Sequence, residues 1–537
     1  MWLWINFLLS LIALTRSEIT GQILSGAWTV SYGESRKFTV YAEHGLDSYS
    51  ALKKSGFIGD PLSGLHDTEY RWVSSKNWTF THTFRAQSSL GAEVVNELVW
   101  NELDTFCQVS FNNVILGQVS NSFLYRSWVI GNLAPASKDN ILKLECISTN
   151  RVAKQIANSM KAPPPPDCWP SMFHGECHIN LVRTTQASFG WDWGPAFPIQ
   201  GFWQPPQLIR SYRGCRFGRG FKFFPSITNA SKIATNNLIS SSELVLWNAD
   251  ISVEVLFNSA LSEKIRRFCI GFAMDNLITS PVVRCFTRFL ITSSADVPLT
   301  LFTNRTGVTP WWPNRIVTGP HTYQLHLNLT TTDGKILDRI THTVGFRQFE
   351  LVEVSSGYLD VKYLPLLPPI SRSQGTHSFF YTLGKHYPNL LTFPRERSSV
   401  DTVEQEVRMQ IRRLHSHPSV VIWATDNEVK QAVNDGWYRP ARDRILLKNF
   451  KRRFVDLISR VIYDEERPNS IDLMFTGAGT HLYQPRRCLI SSPSNGIVTE
   501  ELKGMDLNPQ ARYQCFTMNL CISLVKSVYT TQNFSKY

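Results

Sequence analysis

The stretch Ser419-Val420-Val421-Ile422-Trp423-Ala424-Thr425-Asp426-Asn427-Glu428 decides how the last third of the chain is read. Val420 to Trp423 is a short, continuous apolar run, the composition of a parallel strand covered on both faces. It runs straight into Asp426, Asn427 and Glu428, and in α/β barrels the carboxyl ends of strands carry the chemistry. Upstream, Val400, Val403, Val407, Ile411 and Leu414 recur at helical spacing, with Arg and Glu on the other face, until His417-Pro418 stops the helix. A helix followed by a buried strand predicts part of an α/β barrel, with a second helix from about Ile445 to Val461. A lone carboxylate such as Glu428 suits an acid/base catalyst, and equally a helix cap or a salt-bridge partner.

From about 22 to 350 the period is that of strands. Cys107, Val109 and Phe111 alternate with polar neighbours, Asn112-Asn113 tolerates the positive φ of a tight turn, and Val114 to Leu116 leads back as a hairpin. Leu142, Leu144 and Cys146 mark another half-buried strand. Ile251, Val253, Val255 and Phe257 form one face, and Tyr323, Leu325, Leu327 and Leu329 form another before the turn at Asp333-Gly334. Two antiparallel sandwiches account for these segments. The irregular, aromatic stretch from Pro163 to Pro205 interrupts the first, and a loop of that length is more often functional than a plain connector.

A chain of 537 residues holds several domains of ordinary size, and 43% hydrophobic with 12% aromatic residues is too apolar for disorder. The formal charge of +12 is spread along the chain. Its densest basic run, Lys448 to Arg453, has apolar residues interleaved, as on one solvated helix face, so no nucleic-acid partner is expected. Trp2 to Leu14 is an apolar run followed by small residues Thr15 and Ser17, the pattern of a cleaved secretory leader over 1–17 that leaves no stable membrane insertion, with an amino-terminal anchor as the alternative reading. Sequons at Asn77, Asn229, Asn304, Asn328 and Asn533 suit that route. Among ten Cys, Cys168 and Cys177 are close in sequence, flanked by Pro and Gly, and are the expected disulfide. No CxxC, HExxH or clustered His/Cys set occurs, so no protein-bound metal is expected.

In Ser188-Phe189-Gly190-Trp191-Asp192-Trp193-Gly194-Pro195 an acid sits between two indoles. Aromatic faces stack on the apolar side of a sugar ring, and a carboxylate accepts hydrogen bonds from its hydroxyls. The same residues would also suit a buried turn capped by Asp192. With these segments assembled, the sequence resembles glycoside hydrolase family two in its β-mannosidase branch. The likeness runs through Leu24-Ser25-Gly26-Ala27-Trp28, Tyr70-Arg71-Trp72-Val73, Pro166-Asp167-Cys168, Gly175-Glu176-Cys177-His178, Phe189 to Gly201, Trp311-Trp312-Pro313 and His417-Pro418-Ser419.

That resemblance implies a jelly-roll-like sugar-binding β-sandwich over 18–215, an immunoglobulin-like β-sandwich over 216–350 and an incomplete catalytic (β/α)8 barrel region over 351–537. It implies exo-hydrolysis, with retention, of terminal non-reducing β-D-mannose from glycoprotein oligosaccharides, without a cofactor, in the lysosome or outside the cell. A retaining enzyme needs two carboxyl groups about 5 to 5.5 Å apart. Glu428 matches the acid/base residue, Asn427 the neighbour that bonds the sugar 2-hydroxyl, and Trp191 and Asp192 the loop that holds the non-reducing sugar. The segment from about 353 to 386 and the one from Asn469 to about Pro485 depart from the family pattern. No residue matches the nucleophile, and Glu500 and Glu501 precede its position. A catalytically inactive glycan-binding protein is therefore the alternative expectation, and the sequence does not fix an oligomeric state.

Overall fold

The computed structural model describes residues 20–33, 36–86, 93–161, 163, 166–168, 171–191, 194–228, 245–288, 292–312, 321–353, 359–363, 379–382, 397–426, 429, 433, 444–467 and 485–489. Two stacked antiparallel sheets form the first unit. One has six strands in the spatial order Arg36–Ala42, Gly26–Tyr32, Trp78–Arg85, Asp139–Cys146, Cys107–Phe111, Val114–Val119. The other has Thr20–Ile23, Gln207–Tyr212, Val94–Trp100 and Arg126–Ile130. The expected hairpin is present, with Asn112 and Asn113 at φ 46° and 67° between paired strands. Side chains alternate across each strand, so one face of each sheet supplies the core. Trp28 is sealed from water there, with ring centroids 4.7 Å from Phe202 and 5.9 Å from Trp100.

The second unit stacks a three-stranded sheet, Cys215–Ile227, Trp247–Phe257 and Ser294–Arg305, on a four-stranded one. The latter runs Ile278–Thr287, Arg267–Met274, Tyr323–Thr331, Ile336–Val344. Ile251, Val253, Val255 and Phe257 meet Tyr323, Leu325, Leu327 and Leu329 in one core, as their spacing predicts. Three disulfides cross the described residues: Cys168 to Cys177, and two that sequence reading did not pair, Cys107 to Cys146 and Cys269 to Cys285. Each of the latter two joins residues directly opposite each other on adjacent strands.

The helix Arg397–Leu414 leads into the strand Val420–Ala424, the middle member of a three-stranded parallel sheet between Phe379–Thr382 and Arg487–Leu489. Val403, Val407, Ile411 and Leu414 pack with Trp423, Phe450, Phe454 and Ile458, so the helix buries the predicted face. Two expectations change here. The second helix is longer, running from Arg444 to Glu465 with a π-helical turn over Lys451–Ile458. Within the basic run, Lys448, Lys451 and Arg452 are solvated, whereas Arg453 faces inward and burial pulls its guanidinium down to about 9. The stretch that departs from the family pattern also carries structure: Phe349–Glu353 pairs antiparallel with Leu359–Tyr363, and Phe379–Thr382 joins the parallel sheet. Among the described residues no helix is long and apolar enough to cross a membrane.

Candidate functional site

Two segments carry the predicted site, and each is positioned by its own supports. Phe189–Trp191 pairs antiparallel with Gly194–Ala196. The first of these strands requires glycine at 190, where φ is +83° and a Cβ would stand 3.1 Å from the Gly175 Cα. Arg71 then fixes the neighbouring segment. Its Nε donates to Glu176 at 3.1 Å and its Nη2 to the His174 and Gly175 carbonyls at 2.8 and 2.9 Å. The Glu176 N–H donates in turn to the Phe189 carbonyl at 2.8 Å, beside the Cys168 to Cys177 bridge. Asp104 lies beneath the loop's approach, where it accepts from Thr184 at 2.5 Å and from the Trp203 indole at 3.3 Å. Burial raises its pKa, with those donors opposing the rise.

The second segment is the carboxyl end of Val420–Ala424. Ala424, Thr425 and Asp426 are all buried. Beneath them, the Trp423 indole donates to Glu466 at 2.7 Å, and Arg486 donates to the same carboxylate at 2.7 Å and to the Val420 carbonyl at 2.9 Å. Burial alone would push the Glu466 carboxyl up, but Arg486 and the indole outweigh it and hold the pKa at about 2. His415 stands 3.7 Å from Glu466 and accepts the Phe223 N–H at 3.1 Å; burial drops its pKa to about 3. The strand end is therefore braced from below by a buried polar cluster.

Ion pairs, several of them sealed from solvent, connect the two segments. Arg183, five residues before Ser188, makes a bidentate pair with Glu406 of the helix Arg397–Leu414, at 2.7 and 3.1 Å. Arg216 of the second sandwich grips Glu97 of the first at 2.6 and 2.9 Å. Glu465 accepts from Lys222 at 3.2 Å and Arg412 at 2.9 Å, and also pairs with Arg408. Arg412 reaches Asp296 at 2.6 Å. The helix that leads into Val420–Ala424 is thus keyed to both sandwiches, and to the segment just before Phe189–Trp191 in particular.

Of the predicted site residues, Trp191 is described as backbone, at the end of Phe189–Trp191. Asp192, Asn427, Glu428, the leader 1–17 and Asn229 lie outside the described residues. Asn77 is exposed and its side chain accepts from the Ser148 N–H at 3.1 Å; Asn304 is exposed at φ 50°; Asn328 is half-buried on a central strand. Sequence reading missed Glu406, Glu465, Glu466 and His415. The adjacent acids Glu465-Glu466 at the end of an amphipathic helix were the available signal. Among the described residues no three His, Cys, Asp or Glu side chains gather as a metal-ligand set.

Comparison with known proteins gives a consistent picture. Residues 28–204 match the family model described as a glycosyl hydrolase 2 galactose-binding domain-like unit. The chain is 26% identical to a beta-mannosidase of Mus musculus, over 90% of this chain and 57% of that protein. It is 23% identical to a probable beta-mannosidase of Caenorhabditis elegans, over 86% of this chain and 53% of that one. It thus spans just over half the length of these relatives. Its fold is shared with the beta-D-mannosidase of Dictyoglomus thermophilum, at a TM-score of 0.66 and 17% identity, over 88% of this chain and 58% of that one.

Proposed function

We propose that this chain, similar in sequence and fold to β-mannosidases, belongs to glycoside hydrolase family two, recognises a terminal, non-reducing β-D-mannose and serves its retaining hydrolysis. Trp191 stacks on the sugar, Asp192 accepts from its hydroxyls, and Asn427 bonds the 2-hydroxyl. Glu428 protonates the departing oxygen and afterwards activates water. This requires its pKa to lie well above the usual carboxylate range while the sugar is bound. The parallel strands around Val420–Ala424 belong, in this reading, to a (β/α) barrel region over 351–537, following sandwiches over 18–215 and 216–350. The glycan is that of glycoproteins met in the lysosome or outside the cell, and Asn77, Asn229, Asn304 and Asn328 carry glycans of the chain's own.

One observation carries the reading: the buried Arg183 to Glu406 pair, which joins the root of the Trp191 loop to the helix preceding the Glu428 strand. An idle loop would need no such registration. A second reading is a catalytically inactive glycan-binding protein that keeps the Trp191 loop. Aryl β-mannosides decide between them. Release of mannose that Glu428→Gln slows most for poor leaving groups supports the hydrolase. Binding without release supports the second reading. Failure to bind overturns both.

A further inference from the structure

A cavity of about 550 Å³ lies between the two sandwiches and the outer face of the helix Arg397–Leu414. Its helical wall is Gln405, Arg408, Met409, Arg412 and Arg413, on the side away from the Val403, Val407 and Ile411 stripe that packs toward Trp423. It is therefore a different place from the strand end that carries Asn427 and Glu428.

Its lining has an unusual charge balance. Arg408 and Arg412 are occupied by Glu404, Glu465 and Asp296, and Arg413 donates to Gln410. The lining acid Glu254 accepts the Gly220 N–H at 3.0 Å and stands 3.9 Å from Arg412. Arg126 is different. Its side chain is half-buried, its Nε is sealed from solvent without a hydrogen-bond partner, and it forms no ion pair among the described residues. Taking a guanidinium out of water without an anion is costly, so such an arrangement is best completed by one. Beside it, the Arg219 guanidinium lies 4.5 Å from the centre of the Tyr125 ring. Burial lowers the pKa of Arg126, which an anionic ligand would reverse. Trp203 completes the wall. Its indole N–H is tied to Asp104, yet the residue stays 48% exposed.

A guanidinium lacking a counter-ion, a second guanidinium on a ring and an anchored, exposed indole together match a sugar bearing an oxyanion. We propose that this cavity is an accessory subsite for an acidic pyranose, a uronate or a sugar phosphate. The oxyanion pairs with Arg126 and Arg219, and the ring lies against Trp203. The site is independent of mannose recognition at Asp192 and Glu428.

Calorimetric titration of the 537-residue chain with methyl β-glucuronoside, glucose 6-phosphate and neutral methyl β-glucoside tests this. The expected result is binding of at least one acidic probe, weakened by added salt, with at least tenfold loss in Arg126→Gln and at least tenfold weaker binding of the neutral glucoside. Which acidic probe binds separates a carboxylate from a phosphate ligand. Asp192→Ala should leave this binding unchanged while impairing mannose. Equal binding of the neutral sugar, no binding of either acid, or unchanged affinity in Arg126→Gln overturns the proposal. Should Arg126→Gln not fold, Arg219→Gln at the exposed rim serves instead, with a loss of at least threefold expected and an unchanged affinity counting against the site.

Discussion

In the first sandwich the groups sealed from water are Trp28, Trp100 and Phe202, which touch one another; where the helix Arg397–Leu414 meets the sandwiches they are Glu406, Glu465, Arg183 and Lys222. Apolar packing is non-directional and tolerates adjustment, whereas a bidentate ion pair fixes distance and angle but gains little net stability after desolvation. The sandwiches are accordingly expected to be the stable bodies, and the junction the part that sets register. A site assembled from a sandwich loop and a strand end needs both properties.

The largest effect should come from breaking the apolar side. Trp28→Ala removes the centre of an aromatic cluster and should destabilise the first sandwich by about 3 to 5 kcal/mol. Thermal unfolding followed by Trp fluorescence would show it. On the ionic side, Glu406→Ala strands Arg183 in a site where its side chain is 6% exposed, a loss of about 3 kcal/mol confined to the junction. Hydrogen exchange should rise over 397–467 and leave the six-stranded sheet protected. The double change Arg183→Met with Glu406→Met should restore much of the stability but not the register, so mannose binding should stay weaker than in the parent.

Much of the sandwich architecture was legible in the sequence because apolar and polar residues alternate along many of its strands, and the alternation at Cys107 to Phe111 or Tyr323 to Leu329 marks the side that faces the core. The junction was not. Glu406, Arg408 and Arg412 read as the solvated face of an amphipathic helix, and nothing in a period of 3.6 says that another domain covers that face. The cross-strand disulfides were hidden for a related reason: Cys107 and Cys146 are 39 residues apart, and only the pairing of their strands makes them neighbours. Cys168 and Cys177, 9 apart within one irregular segment, were readable as a pair. Within the site, loop and strand end could each be picked out, but not the ion pair joining them.

Smaller effects sharpen the contrast. Cys177→Ser, with Cys168→Ser, opens a loop closed over 9 residues and should cost about 2 to 3 kcal/mol by loop entropy. Its reach should be local, loosening Gly175 to Phe189 while the aromatic core persists, as proteolysis would reveal. Acid acts on the junction most gently. Glu466 is held at about 2 against 4.5 ordinarily, and His415 at about 3 against 6.5. Below 6.5 the unfolded chain therefore binds more protons than the folded one. Stability from both groups is full above that value and is lost progressively as pH falls toward about 2. Exchange at 415–423, corrected for the intrinsic slowing of amide exchange in acid, should show lower protection at pH 4 than at pH 7.

The sandwich loop is proposed to bind the sugar while the strand end acts on the bond. Calorimetric binding of mannose to the parent chain, Asp192→Ala and Glu428→Gln tests this directly. Asp192→Ala leaves hydroxyls unpaired and should weaken binding by about 1 to 3 kcal/mol, roughly 5- to 150-fold. Glu428→Gln keeps shape and a hydrogen-bonding head, and should bind within about twofold of the parent. Equal losses in both variants, or no loss in Asp192→Ala, would contradict the division of labour proposed for the two segments.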